Sequence, residues 1–184
     1  MTLSRRTVIW ALAATGSLSV AGPSSAPAGS SQSVDDKIDI ALNRLYASAP
    51  FAKDLSTEAK GILVFPRVTK AGFLFGGSYG DGVLRKGGVD IADYSSVSAS
   101  FGLQVGVQWF GYALFFMNDQ AMTHLDNSAG WDIGVGPSIV IVDRAMAVKH
   151  STSTLTQDIY AFIFGQNGLM AGAGIEGSKI TRIR

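Results

Sequence analysis

The sequence predicts an α+β fold, with an N-terminal helix packed on a strongly bent antiparallel sheet or partly closed barrel, and one short helix between strands. Three observations predict it. From Val34, apolar residues fall at Ile38, Ala41, Leu42, Leu45 and Tyr46, a spacing of three and four that makes one helical stripe. Val97, Ala99, Phe101, Leu103, Val105 and Val107 alternate with Ser96, Ser98, Ser100, Gly102, Gln104, Gly106 and Gln108. Period two over that length means a long strand with one apolar face. The third is glycine: 22 copies in 184 residues, with no collagen or heptad period. They point to bends, bulges and tight sheet packing.

In order, residues 1–28 read as an export signal. Arg5 and Arg6 stand directly before the apolar stretch Val8 to Ala21, which is short for a span of about 20 residues. The arginine pair points to the twin-arginine route, with an ordinary secretory signal as the alternative. Residues 29–33 are a linker, and 34–184 one domain, long enough to bury a sizeable core. Removing residues 1–26 takes away Arg5 and Arg6 and no acid, so the formal charge falls from +1 to −1. Binding driven by cations then needs a local patch. The near-zero charge argues against a nucleic-acid partner. The absence of cysteine excludes disulfides, thiolate metal sites and a catalytic thiol.

Pro50 is expected to end the first helix, with a short second helix near Ser56–Lys60. Ile62 to Phe65 reads as a strand stopped by Pro66, followed by a cationic turn carrying Arg67 and Lys70 and a second run, Ala71 to Phe75. Glycines between Gly72 and Gly82 allow sharp bends or close strand packing. Arg85-Lys86-Gly87-Gly88 is a charged hairpin-like turn. The serine, glycine and glutamine side of the 96–108 strand is expected to be solvated or very closely packed. Trp109 to Met117 reads as a strand buried on both faces. A short helix follows from Asn118 to Leu125, then a strand pattern over 133–142 broken at Gly136-Pro137. Asp143-Arg144 turns into a run over 145–148. Asp158–Phe164 and Leu169–Ile175 are strand-like runs joined by Gly165-Gln166-Asn167-Gly168, a hairpin signal. Lys179–Ile183 is the last strand.

The order of these segments resembles the SYLF (Ysc84-like) lipid-binding family, in its bacterial exported version, from about Val34 onward. The pieces are Ala59-Lys60-Gly61-Ile62, Phe65-Pro66-Arg67-Val68, Lys70-Ala71-Gly72-Phe73, Gly76-Gly77 and Gly80-Asp81-Gly82. Ser100 to Gly106, Gly134-Val135-Gly136-Pro137, Gly168 to Gly172 and Glu176-Gly177 continue it. The resemblance implies a compact domain of antiparallel strands and helices that binds acidic lipid, phosphoinositides in eukaryotic members. Those members tend to carry Trp-Ser where this chain has Asp93-Tyr94-Ser95, and serine and arginine before the late glycine, where it has Phe162 to Asn167.

Catalytic chemistry is sparse. His124 and His150 have no ligand-like spacing, so no metal site is expected. The glycine-rich Gly76–Gly88 matches neither phosphate-binding loop pattern, so no cofactor is expected. Scattered carboxylates, such as Asp81 and Asp132, fit caps and turns. A non-enzymatic envelope module is therefore expected, with an acidic phospholipid or membrane surface as partner. The alternatives are a structural role with an envelope protein, or a small outer-membrane β-barrel. The expected lipid face centres on Lys60, Arg67 and Lys70 with Phe65 and Phe73 beside them, and Arg85 and Lys86 as a second cluster.

Overall fold

The computed structural model describes residues 34–73, 75–101, 105–142, 156–168, 175 and 177–184. Helices α1 (Val34–Ser48) and α2 (Pro50–Glu58) open the described chain. Strands β1 (Gly61–Gly72), β2 (Phe75–Lys86), β3 (Val89–Phe101) and β4 (Gly106–Phe116) follow. Then come α3 (Asp119–Asn127), β5 (Trp131–Asp132), β6 (Ile139–Val142), β7 (Ile159–Gly168) and β8 (Lys179–Arg182). The fold is α+β, with the strands in one strongly curled half-barrel sheet ordered β5-β8-β3-β2-β1-β4-β7-β6. All described pairings are antiparallel except β6 with β7, which are parallel, so the sheet is mixed rather than purely antiparallel.

Two apolar clusters sandwich this sheet. On its outer face, Ile38, Leu42 and Leu45 of α1 and Phe51 and Leu55 of α2 pack on Ile62, Val64, Phe115 and Phe162. The inner cluster joins Leu63, Phe65, Tyr112, Leu114 and Phe116 to Met122 and Leu125 of α3 and Trp131 of β5. Phe116 lies 6.1 Å from Trp131, ring centre to ring centre, although β1, β2, β3 and β8 stand between their strands. Only a sheet curled around its inner cluster brings them together. Asn118 starts α3 by accepting the Ala121 N–H at 2.8 Å, as expected for a capping asparagine.

Several expectations need correction. Pro50 does not merely end α1; it is in the first turn of α2, where its missing N–H is not needed. Pro66 does not stop a strand. β1 runs through it, and the register slips by one residue against both neighbours, from Val64↔Val83 to Arg67↔Asp81 and from Phe65↔Tyr112 to Val68↔Phe110. The proline occupies a bulge, the place in a central strand where a missing N–H is tolerated. The true hairpin end lies between Gly72 and Phe75. Tight packing at the bulge explains two glycines. A Cβ on Gly82 would stand 2.7 Å from the Val64 carbonyl oxygen and 2.5 Å from the Phe65 ring, and one on Gly80 2.6 Å from Val68.

The long strand of 96–108 is two strands, β3 ending at Phe101 and β4 starting at Gly106. Its serine side is the packed one. Ser96 and Gln108 are buried on the inner face, and Ser78 bonds Ser98 there at 2.7 Å. Val97 and Val107 point outward and are exposed. Gly165–Gly168 is not a hairpin turn: Asn167 and Gly168 still pair with β4, and Gly165, at φ 61°, sits in a second register slip. The runs over 145–148 and 169–174 lie outside the described residues, as does the export signal with Arg5 and Arg6.

Candidate cationic groove

The bulge decides which basic residues share a face. Before it, Leu63 and Phe65 point inward; after it, Val68 and Lys70 do, and Arg67 and Thr69 point outward. Arg67 and Lys70 are thus on opposite faces of β1. Lys60 is exposed at the start of β1, seven residues and about 23 Å of strand from Arg67. The expected cluster of Lys60, Arg67 and Lys70 is not assembled.

The other expected residues divide. Phe65 is buried in the inner core, stacked on Tyr112 with ring centres 4.5 Å apart, so it offers nothing to a surface. Phe73 is 65% exposed. Arg85 is tied up: its Nε and Nη2 donate to the two carboxylate oxygens of Asp90 at 2.5 and 3.1 Å, and its Nη1 to Asp39 at 2.5 Å. These bonds hold the guanidinium even further above its ordinary range. Lys86 is exposed beside the Gly87–Gly88 turn, at the far end of β2 from Phe75.

What the fold does bring together is a different set. A groove of about 720 Å³ opens between α1 and the sheet at the Pro66 bulge. Lys37, Ile40, Ala41 and Arg44 of α1 form one wall, at helical spacing, and Arg67, Asp81, Trp109 and Phe164 are among the residues opposite. The Arg67 guanidinium carbon lies 5.4 Å from the centre of the Trp109 ring, close enough for a cation–π attraction. Asp81, across from Arg67 in the ladder, accepts the Tyr79 hydroxyl at 2.5 Å. That bond and the carboxylate charge push the Tyr79 phenol up. Three cations and one acid therefore line the groove, which suits an anionic ligand. Lys37 and Arg44 escaped sequence reasoning. Their seven-residue spacing on α1 is the available signal, and it means something only once α1 lies against the bulge.

The inner face buries a few polar atoms among its apolar side chains. The Tyr94, Ser96 and Tyr112 hydroxyls and the Gln108 carbonyl oxygen are buried without a hydrogen-bond partner. Burial pushes the Tyr112 phenol well up, and the nearby Ser96 hydroxyl offsets only part of that. His124 packs edge-on against Trp131, 6.2 Å between ring centres, which is a packing role. His150 lies outside the described residues. Among the described residues, no group of three His, Cys, Asp or Glu side chains could hold a metal ion, and no helix is long and apolar enough to cross a membrane.

No curated protein matches this chain. Residues 97–183 match the model of the Ysc84 family, described as Las17-binding protein actin regulator. That span covers β3 from Val97, Trp109 and everything up to β8, while Lys37, Arg44 and Arg67 lie before it. Over those residues, a little under half of the chain, the protein is similar to the Ysc84 (SYLF) family.

Proposed function

We propose that this protein is an exported, non-enzymatic module of the bacterial envelope that binds an acidic lipid surface through the groove between α1 and β1. The observation that carries this reading is the convergence of Lys37, Arg44 and Arg67 around Trp109 in a chain similar, over part of its length, to a lipid-associated family. With a net charge near −1 once residues 1–26 are removed, diffuse attraction is unavailable, so a local cluster must supply it. The Arg5-Arg6 pair before a short apolar stretch supports carriage by the twin-arginine route to the periplasm or beyond. The barrel alternative fits less well. The order of the described strands is linear, with β5 and β6 as unclosed edges, and the outer face carries α1 and α2; an open edge does not suit the hydrocarbon core.

The test replaces Lys37, Arg44 and Arg67 together by glutamine and measures co-sedimentation with vesicles. Equimolar phosphatidylglycerol and phosphatidylcholine are compared with phosphatidylcholine alone. Each cation near an acidic membrane contributes about 1 kcal/mol, so the triple change should weaken binding to the acidic vesicles on the order of 100-fold. Undiminished binding by a folded triple variant removes the groove from the mechanism. Equal partition of the parent protein into both vesicle types favours an envelope protein as the partner.

A further inference from the structure

The sheet's alternation is turned inside out over the half that the helices leave bare. Where α1 and α2 stop, Tyr79, Val97, Val107 and Trp109 stand exposed on the outer face, while Ser78, Ser96 and Gln108 are buried on the inner one. A sheet facing water on one side normally shows the opposite arrangement. Register places the exposed residues side by side: Val97↔Tyr79, Tyr79↔Thr69 and Thr69↔Trp109 form one row across four strands. Farther from the helices, the β1–β2 hairpin ends at Phe73 and Phe75, 65% and 71% exposed, and Val105 is exposed just before β4. Gly72↔Gly106 and Phe75↔Phe101 put both strand ends on the same rim.

Resting on the lipid-binding reading above, we infer that this rim, led by Phe73, Phe75 and Val105, is the part of the domain that enters the apolar layer of an acidic membrane. The order of chemistry along the strands carries the assignment. Lys37, Arg44 and Arg67 come first, at the groove. The next row holds Tyr79 and Trp109, whose rings join an apolar body to a polar edge and settle at the interface between headgroups and hydrocarbon. Phenylalanine and valine, with no polar atom to desolvate, come last. From Tyr79 to Phe75 is about 13 Å of strand, which an oblique approach shortens to the depth that interfacial elements reach. A second copy of this face would supply apolar surface but only one acid to meet three cations. Among the groove's lining residues Asp81 is the one carboxylate, and it already accepts the Tyr79 hydroxyl.

The absence of native cysteine makes the test clean, because one introduced cysteine takes one label. Phe73→Cys and, as a control at the opposite end of the β2–β3 hairpin, Val89→Cys are each labelled with nitrobenzoxadiazole in the full chain. Both are mixed with equimolar phosphatidylglycerol–phosphatidylcholine vesicles, and sedimentation is read in parallel. The expected result is a blue shift and quenching by spin-labelled lipid at position 73, and neither at 89. Replacing Phe73 and Phe75 together by serine should weaken sedimentation at least about tenfold. Sedimentation with an unshifted probe at 73 overturns the rim while leaving acidic-lipid binding intact. No sedimentation overturns the lipid reading itself, and the rim with it. A concentration-dependent blue shift without vesicles makes a second copy the occupant and refutes the inference.

Discussion

Replacing Arg85 by glutamine should destabilise the domain by about 2–3 kcal/mol without weakening its attachment to acidic vesicles. Arg85 on β2 makes a two-pronged contact with Asp90 on β3, and both side chains are largely buried, at 16% and 17% exposure. Removing one partner of a buried pair costs about 3–5 kcal/mol, because a charge is left without compensation, and the residual exposure here lowers that figure. The bond to Asp39 adds little, since that carboxylate is 60% exposed; such pairs contribute about 0–1 kcal/mol. For a chain of this length, about 2–4 °C of melting temperature accompanies each kcal/mol, so the midpoint should fall by about 5–10 °C. Thermal unfolding followed by circular dichroism measures it, with Asp39→Asn as the mild comparison, expected to shift the midpoint by less than half as much. Sedimentation of the variant below its melting temperature should match the parent. A midpoint within about 1 °C of the parent refutes the argument from burial. A selective loss of vesicle binding with unchanged stability returns Arg85 to the lipid face.

Two more outcomes are expected. Asp158 accepts the Ser138 hydroxyl and N–H at 2.7 and 2.8 Å and the Asn118 side-chain amide at 2.6 Å, bonds that hold its carboxyl below the ordinary value of 3.8. The lowered value means its stabilisation is present above that ordinary value and is lost as pH falls through the folded one. Asp158→Asn should cost about 1 kcal/mol at neutral pH and flatten the acid limb of a melting-temperature profile; an unchanged profile contradicts it. Changing Arg5 and Arg6 together to lysine should leave the protein in the cytoplasm, scored by the periplasmic fraction, and undiminished export would dismiss the twin-arginine proposal.

Much of the fold was legible because its signals are local. The stripe from Val34 to Tyr46 gave α1, the Asn118 cap gave α3, and crowding around Gly80 and Gly82 met the expectation of close strand packing. One failure has a plain physical source: alternation marks two faces of a strand but not which one is covered. Val97 and Val107 look like core by pattern, yet α1 and α2 do not reach them. The candidate site suffered similarly. Arg67 was recognisable beside Pro66, but its companions Lys37 and Arg44 are partners through tertiary packing alone. Arg85 looked like a free surface cation because its main partner, Asp90, is set opposite it only by the β2–β3 register, and its weaker one, Asp39, only by the docking of α1.

The slip at Pro66 also sets how much length β1 can lose before its faces exchange. A substitution at Arg67 alters one side chain. Deleting one residue at Pro66 would remove the bulge, restore plain alternation and leave the Leu63–Phe65 and Arg67–Thr69 sides on their present surfaces; deleting a second would turn one of them to the wrong surface. That second loss would carry Arg67 away from Trp109, or Phe65 away from Tyr112. One added or missing residue at the Gly72–Phe75 hairpin end is absorbed outside the ladder. Along this strand, the first residue lost at the bulge keeps the inside of the protein inside, and a second exchanges it for the outside.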